Sequence, residues 1–434
     1  MKQLMTIIIA FMSAISAKSA SVADMPSDSK QLAYSMKVGW NLGNSLESYD
    51  ASSADSETSW GNPRTTQAMI DAVKASGFNA IRIPVRWYPH FTYNNGTVTI
   101  DAAWLSRVKQ VIGYCLNDGM YVIMNTHHEL WMENHATYAD SASVFAKERA
   151  LWTALATAFG DYDEHLLFAG TNEVHLDGVW TECTTENAIV QNKFNQIFIN
   201  QVRATGGKNQ YRNLVVQTYA CNFAWGIDHF TVPKDPTPSR MIVEVHAYEP
   251  YDYAMNEAEP YKYWGAPYQS YGIESWAQEA YLDGIFNKMK TNFVDKGYPV
   301  IMGECGAIRH TSPTSAMNDS RAYFLKTFIS KAKSHGVVPF LWDNGSTGTG
   351  KETYGLFNRY SNMSQIDNFS VSAIMQGAET SYPSVSGIET IKNVASENYN
   401  VYNQCGVMVK KKAKDLNGLP NGLYIVNGKK YVVK

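Results

Sequence analysis

The chain has 434 residues, of which 45% are hydrophobic and 13% aromatic, so it has enough apolar material for a large core, and a wholly disordered chain, a collagen-like chain and a coiled-coil rod are excluded. Basic and acidic residues number 37 and 40, and the net charge of −3 lacks the basic excess of a nucleic-acid-binding protein. The length fits about three average domains or one α/β barrel with long loops.

The first 23 residues have the pattern of a secretory signal peptide. Lys2 precedes an apolar run at 4–17 that is too short to cross a bilayer, and small residues follow at 21–23. We therefore expect cleavage after Ala23, no transmembrane span, and a secreted or cell-surface protein.

Short apolar or β-branched segments, each ending in polar or aromatic residues, recur along the chain and are predicted strands. They are 38–44, 79–85, 120–127, 165–173, 213–219, 241–248, 298–304 and 337–342. Segments with helical periodicity lie between several of them, at 66–76, 103–118, 143–159 and 320–335. This alternation predicts an α/β fold, the (β/α)8 TIM barrel. A doubly wound sheet is the competing architecture, but it would not gather all the strand ends around one opening.

Residues 24–405 contain no repeat, low-complexity run or linker, so they are predicted to form one folding unit, the barrel. Residues 406–434 carry seven Lys against one Asp and several Asn-Gly pairs between apolar runs, which is a hairpin signal. A final hairpin packed on the main domain is one interpretation. The segment "LNGLPNGLYIVNGKKYVVK" also resembles the C-terminal sorting signals of the type IX secretion route, which implies a bacterial exported protein and allows attachment to the cell surface.

The number of cysteines is odd, at five, and no two have CxxC spacing. A disulfide framework or zinc site is therefore not predicted, although the sequence does not decide whether a single disulfide bond forms. We expect buried thiols that behave as small apolar residues.

Polar and aromatic residues close the predicted strands, and a barrel would bring them together at its carboxyl-terminal face. They are Asn44, Glu47, Arg82, Trp87, His127, His128, Asn172, Glu173, Tyr219, His246, Tyr248, Glu304 and Trp342. Glu173 and Glu304 would face one another from the fourth and seventh strands. Hydrolysis of a glycosidic bond needs such a pair, since one carboxyl group protonates the leaving oxygen and the other attacks or stabilises the anomeric carbon.

Several motifs, in this order, resemble those of the glycoside hydrolase family 5 retaining β-glycanases, most of all the subfamily with endoglucanases, lichenases and xyloglucanases. They are "GWNLGNSLE", "WGNPRTT", "IRIPVRW", "NTHHE", "TNEVH", "HAYEPYDY", "IMGECG" and "LWDNG", spread over about residues 30–400. Val174 departs from the family, which more often has Pro after the acid/base Glu, and this puts the local backbone geometry in question.

The resemblance implies that Glu173 is the general acid/base and Glu304 the nucleophile. Arg82 and Tyr248 would favour the charged form of Glu304, and the negative Glu304 would raise the pKa of Glu173. Asn172 would bind the sugar 2-OH.

The remaining implied residues would hold the sugar. The histidines His127, His128 and His246 would position the sugar and the carboxylates, Trp342 would be the stacking floor under the ring, and Asn44 would add a polar contact. No cofactor is expected. The run His127-His128-Glu129 does not predict a metal site, since no third ligand lies at a sequence spacing typical of one.

The predicted partner is a β-glucan polysaccharide of the cellulose, mixed-linkage or xyloglucan type, cleaved internally. Mannan or xylan as substrate, or a non-catalytic polysaccharide-binding barrel, are the alternatives. Trp87 is interpreted equally well as a core or a site residue. Four tryptophans in predicted loops are candidates for distal sugar subsites: Trp60, Trp131, Trp180 and Trp264.

Overall fold

The structure, a computed structural model, describes most of the chain after residue 24. The described residues are 25–53, 55–180, 182–258, 260–383, 388–389, 399–403, 406–413, 416, 418–420, 422–426 and 429–433. The predicted signal peptide at 1–23 lies outside them. Within these ranges, no helix has the length and apolar character needed to span a membrane.

Eight parallel strands form a closed barrel, which confirms the predicted (β/α)8 fold. They are β1 (Gly39–Asn41), β2 (Ala80–Ile83), β3 (Tyr121–Met124), β4 (Leu166–Ala169), β5 (Leu214–Asn222), β6 (Met241–Ala247), β7 (Val300–Cys305) and β8 (Val337–Leu341). Each strand pairs with its neighbours in chain order, and β8 closes on β1 through the pair Gly39 and Phe340. All eight predicted strands therefore exist, and the doubly wound alternative is wrong.

The helices lie mainly between the strands. They are α1 (Ser29–Ser35), α2 (Gln67–Ala75), α3 (Ala102–Asn117), α4 (Tyr138–Ala158), α5 (Thr185–Ala204), α6 (Trp225–Asp228), α7 (Tyr251–Ala254), α8 (Glu279–Asn292), α9 (Ser315–Ser334) and α10 (Asn368–Ala378). Two short antiparallel strand pairs are separate from the barrel sheet. They are Phe91–Asn94 with Thr97–Ile100 and Phe357–Asn358 with Ser364–Gln365.

Local sequence explains where these elements start. Threonines at 66, 137, 184 and 314 precede α2, α4, α5 and α9, and each side-chain oxygen accepts the N–H of the third helical residue. Strands such as β7 are buried along their whole length, as expected for a parallel sheet covered on both faces.

The segment before β1 closes the amino-terminal end of the barrel. Leu32 and Met36 pack against apolar side chains of the barrel strands. The Ser29 N–H donates to the Ser239 carbonyl at 2.8 Å, just before β6. Since this end is filled, the opposite, carboxyl-terminal end is the one available for a site.

The segment after α10 reaches the same end. Tyr382 stacks on Tyr34 with ring centroids 4.5 Å apart, and its hydroxyl donates to the Met36 carbonyl at 2.8 Å. The Lys333 ammonium lies 4.0 Å from the centroid of the same ring.

A separate five-stranded sheet follows. Its strands, in spatial order, are Ile388–Glu389, Lys429–Val433, Gly422–Val426, Tyr399–Asn403 and Met408–Ala413. The antiparallel pair Gly422–Val426 and Lys429–Val433 is the hairpin that the Asn-Gly pattern predicts. The predicted boundary at residue 405 falls between two strands of this sheet, so its strands begin before the predicted tail.

The four described cysteines carry free, buried thiols, as the sequence predicts: Cys115, Cys183, Cys221 and Cys305. Cys405 lies outside the described residues.

Candidate active site

Two glutamates meet at the carboxyl-terminal end of the barrel. Glu304 lies in β7, and Glu173 follows β4. A carboxylate oxygen of each, together with a ring nitrogen of His246, lie within 4.8 Å of one another. Retaining glycosidases place their two carboxyl groups about 5 Å apart, whereas inverting ones leave room for a water between them.

Glu304 is held by the two donors that the sequence predicts. Arg82 Nη1 donates to one carboxylate oxygen at 2.9 Å, and the Tyr248 hydroxyl donates to the other at 2.9 Å. Arg82 is fully buried, and although burial alone would lower its pKa, Glu244 and Glu304 raise it, so the guanidinium stays charged. Glu304 therefore has a fixed orientation and a permanent counter-charge.

Glu173 contacts a histidine rather than an arginine. His246 Nδ1 lies 2.6 Å from a Glu173 carboxylate oxygen, and the Glu173 side chain is 24% exposed. Burial alone would lower the pKa of His246, but Cys221, Glu304 and the hydrogen bond with Glu173 raise it well above the usual value.

The raised pKa expected for Glu173 is wrong. Burial raises the pKa of this carboxyl, but the hydrogen bond and charge of His246, with the charge of Arg82, outweigh burial and lower it. Repulsion from Glu304, which would raise this pKa, is outweighed by the neighbouring cations. In the free protein the proton of the pair therefore resides on His246.

A third carboxylate, Glu244, lies beneath the pair, and the sequence argument missed it. It is fully buried in β6, ion-paired with Arg82 Nε at 2.8 Å and 3.3 Å from His246 Nε2. Burial opposes its charge, but Arg82, His246 and a hydrogen bond from Gln217 lower its pKa to about 2. Each carboxylate of the site thus faces a cationic side chain of the protein.

Asn172 links the two halves of the site. Its side-chain oxygen accepts from Arg82 Nη2 at 2.7 Å, and its amide nitrogen lies 3.3 Å from His127 Nε2. Burial, reinforced by the charge of Arg82, lowers the pKa of His127 well below its usual value, so this imidazole is neutral. The amide of Asn172 is therefore fixed beside Glu173.

Trp342 follows β8 and forms one wall of the site. Its half-buried indole lies nearly parallel to the His127 ring, with centroids 6.2 Å apart and an interplanar angle of 12°. A Cβ at Gly43 would lie 2.8 Å from the indole, so only glycine lets the ring pack here.

Asn44 and His128 lie at the rim. The Asn44 N–H donates to Glu47, and its carbonyl accepts from Asn62 at 2.9 Å. His128 is 4.3 Å from the His127 ring and 5.8 Å from Trp60, between ring centroids. Among the described residues, no hydrogen bond joins either side chain to the two glutamates, so their predicted contact with substrate stays a prediction.

The loop tryptophans separate into two groups. Trp60 and Trp180 are exposed, at 39% and 49%, as a sugar platform requires, and Trp131 is half-buried. The interpretation of Trp264 as a subsite is wrong, because its ring is 1% exposed and its N–H donates to the Ala277 carbonyl at 2.7 Å. Trp87 is fully buried, which settles it as a core residue.

A cavity of about 530 Å³ opens on the Glu173 side of the site. Glu173 and His246 form its inner end, and Trp180, Phe223 and Tyr251 line it further out. The stacking of Trp180 on His175, with centroids 3.5 Å apart, holds that indole at the wall. The cavity adjoins the carboxyl that would protonate a leaving group.

Val174, the departure from the family pattern, is buried, and its carbonyl accepts from the Ala220 N–H at 3.1 Å. Ala220 and Cys221 have positive φ values of 51° and 49°. The backbone of β5 is therefore irregular where it passes Glu173.

Comparison with known proteins agrees with this geometry. The family Cellulase (glycosyl hydrolase family 5) matches residues 45–348. Endoglucanase A of Paenibacillus barcinonensis is 38% identical over 379 residues, which are 83% of this chain and 93% of that protein.

Solved structures are similar over the same region. A GH5-4 broad specificity endoglucanase from Ruminococcus champanellensis with bound cellotriose has 36% identity and a TM-score of 0.73, covering 80% of this chain and 98% of that one. A Bacteroides ovatus GH5 xyloglucanase in complex with a XXXG heptasaccharide has 34% identity and a TM-score of 0.76, covering 83% and 79%. The resemblance seen in the motifs is confirmed, and the chain belongs to glycosyl hydrolase family 5, the cellulase family of glycoside hydrolases.

Proposed function

We propose that the protein is an endo-acting β-1,4-glucanase that retains anomeric configuration, with Glu173 as acid/base and Glu304 as nucleophile. The observation that carries this proposal is the separation of the two carboxylates, within 4.8 Å, at the mouth of the barrel. The names of the relatives, which include endoglucanases and xyloglucanases, support β-glucan as the substrate class.

In the first step, Glu304 attacks the anomeric carbon while the bond to the leaving oxygen breaks and that oxygen takes a proton from Glu173. Substrate in the cavity removes water from the partly exposed Glu173 carboxylate and disfavours its charge. Before the bond breaks, the proton on His246 Nδ1 therefore moves along the 2.6 Å hydrogen bond to Glu173, which becomes the acid.

In the second step, the glycosyl ester on Glu304 is hydrolysed. Glu173, now a carboxylate, takes a proton from the attacking water while the ester bond to Glu304 breaks, and this proton returns to His246 Nδ1 when the product leaves. Arg82 and Tyr248 then receive the restored negative charge of Glu304 without reorganising, because both donors are already in place.

The walls of the site fit a chain of glucose units. Trp342 offers an aromatic face to the C–H groups of the reacting sugar, and Asn172 offers its amide to the 2-OH. The cavity beside Glu173, with Trp180 and Tyr251, would take the sugars of the leaving side.

Export and surface attachment belong to the same proposal. They rest on the signal-peptide pattern of residues 1–23 and on the sorting-signal resemblance of residues 406–434. A protein that degrades a polymer too large to enter a cell has to act outside it.

The test is the release of reducing sugar by the purified protein, starting at Asp24, from barley β-glucan, carboxymethylcellulose, xyloglucan, glucomannan and xylan. We expect activity on the glucans, and the Glu304→Gln variant should lose it while still binding oligosaccharides, because the amide is isosteric but cannot attack. Glu164→Gln serves as the control for a carboxylate outside the pair, because Glu164 precedes β4 at the opposite end of the barrel and accepts from the Ser27 N–H.

Near-normal turnover by Glu304→Gln, in a preparation free of unsubstituted protein, would contradict the assigned nucleophile. A preference for glucomannan or xylan would replace β-glucan as the substrate and keep the chemistry. Binding without hydrolysis of any polymer by the folded protein would favour the non-catalytic alternative.

A further inference from the structure

Glu244 is a fully buried carboxylate at the barrel mouth, and neither step of the proposed reaction uses it. It lies two residues before His246 on β6, so both side chains point to the same face of the strand. One carboxylate oxygen lies 2.8 Å from Arg82 Nε and 3.3 Å from His246 Nε2. The Gln217 amide donates to the other oxygen at 2.7 Å.

These contacts form a row of alternating charges. Arg82 connects Glu244 to Glu304, and His246 connects Glu244 to Glu173. Glu304 also lies within ion-pair distance of both cations, 3.8 Å from His246 Nδ1, but Glu244 is the carboxylate that contacts their far nitrogens, Arg82 Nε and His246 Nε2.

The neighbouring strand leaves space for this carboxylate. A Cβ at Gly303, the residue before Glu304, would lie 1.9 Å from the Glu244 oxygen. Glycine at 303 thus allows β7 to carry the nucleophile past a carboxylate of the next strand.

We propose that Glu244 is a positioning residue of the reaction, which holds His246 Nε2 and Arg82 Nε so that His246 Nδ1 faces Glu173 and Arg82 Nη1 faces Glu304. This inference rests on the proposed roles of the two glutamates. A buried carboxylate that accepts from one imidazole nitrogen fixes the tautomer and orientation of the ring, and leaves the other nitrogen for the reacting group.

The charge of Glu244 also stabilises the proton shared by His246 and Glu173. The other titratable, charged or hydrogen-bonding groups that face this pair are Arg82 on β2, His128 after β3, Gln217 and Cys221 on β5, Tyr248 after β6, and Glu304 on β7. Removing the negative charge of Glu244 lowers the pKa of the His246–Glu173 pair, because one of the anions that stabilise the shared proton is gone. The alkaline limb of kcat/KM should then move to lower pH.

The experiment compares Glu244→Gln and Glu244→Asp with the unsubstituted protein on barley β-glucan and on an aryl β-cellobioside. We expect Glu244→Gln to lower kcat about 10–100-fold and to move the alkaline limb down by about one pH unit. Glu244→Asp keeps the charge but is too short for both contacts, so it should lower kcat and leave the limb in place.

Asp235→Asn is the matched control. Its carboxylate is also almost fully buried and makes two hydrogen bonds to Arg203, but it precedes β6 at the opposite end of the barrel. We expect stability to fall and the pH limb to stay at the position found for the unsubstituted protein.

A second measurement needs no substrate. The imidazole ¹⁵N shifts of His246, assigned by comparison with His246→Asn, should report a lower pKa in Glu244→Gln than in the unsubstituted protein. Unchanged ¹⁵N titration and an unchanged pH limb in a folded Glu244→Gln protein would overturn the inference. An unsubstituted protein that hydrolyses nothing would instead overturn the proposed function, and the ¹⁵N titration would still decide the role of Glu244.

Discussion

Glu173 and Glu304 are the same residue type in different surroundings, and the surroundings assign their roles. Glu304 is 7% exposed and has a permanent cation, Arg82, as its neighbour. Glu173 is 24% exposed and has His246, a group that can give up a proton, as its neighbour. An immobile counter-charge suits a nucleophile, and a titratable partner open to the leaving-group cavity suits an acid/base.

This difference predicts how Glu173→Gln behaves. Hydrolysis of polysaccharide should fall by about 10²–10⁴-fold, whereas aryl glycosides with good leaving groups should form the glycosyl ester at a nearly normal rate because they need no acid. The pre-steady-state burst of phenol release measures that step. Equal losses on both kinds of substrate would contradict the acid/base role, and a missing burst would indicate that the first step itself depends on Glu173.

Residues at or near the carboxyl end of a strand were predictable, and Glu244, in the middle of one, was not. The side chains of Arg82, Asn172, His246, Tyr248 and Trp342 meet around the two glutamates because parallel strands end at one face. Glu244 lies within an apolar run. A carboxylate two residues before a histidine fits the ordinary alternation of side chains along a strand, so the sequence does not mark it as a site residue. The pKa of Glu173 could not be predicted either, since it depends on distances between strands.

The sequence predicted the presence of the strands and helices better than the residues at which they begin and end. Helix α9 begins at Ser315 rather than near 320, because Thr314 caps it and its first turn lacks apolar periodicity. The predicted fifth strand ends at Tyr219, but β5 continues to Asn222 through two residues of positive φ. No sequence signal marks that irregularity, since neither Ala220 nor Cys221 is a residue that favours positive φ.

Packing between elements predicts opposite effects for two glycine substitutions. Gly303→Ala in β7 should destabilise the protein by about 1–3 kcal/mol, because the new methyl group collides with Glu244. Gly284→Ala in α8 meets nothing within 4 Å, so it should stabilise by about 0.5–1 kcal/mol through helix propensity. Urea unfolding measures both, and equal effects would contradict the close approach of β6 and β7.

At the scale of the whole molecule, the sequence predicted the barrel because its strands are short apolar runs in regular alternation with helices. The limit of the C-terminal sheet was harder to predict. Tyr399–Asn403 pairs with Gly422–Val426 further along the chain, and such non-local pairing leaves no mark in a local window. The predicted division of the chain at 405 is therefore a hypothesis that needs a truncation to test it.

A chain from Asp24 to Pro383 should keep its hydrolysis of soluble β-glucan, because the closed barrel, α10 and Tyr382 are all retained. A chain ending after Thr380 loses Tyr382, with its stacking on Tyr34 and its contact with Lys333, and should be less stable by about 1–2 kcal/mol. Activity assays and thermal unfolding of both chains measure this. Loss of activity in the longer chain would show that the C-terminal sheet belongs to the catalytic unit.

The stacked pair Tyr34 and Tyr382 has a further consequence for how the enzyme could be used. It joins the segments that enter and leave the barrel at the face opposite the catalytic mouth. A fusion partner, bead or surface anchor linked through either segment would hold the enzyme by its closed base. The mouth would then point outward, and a long polymer could reach it without passing the support.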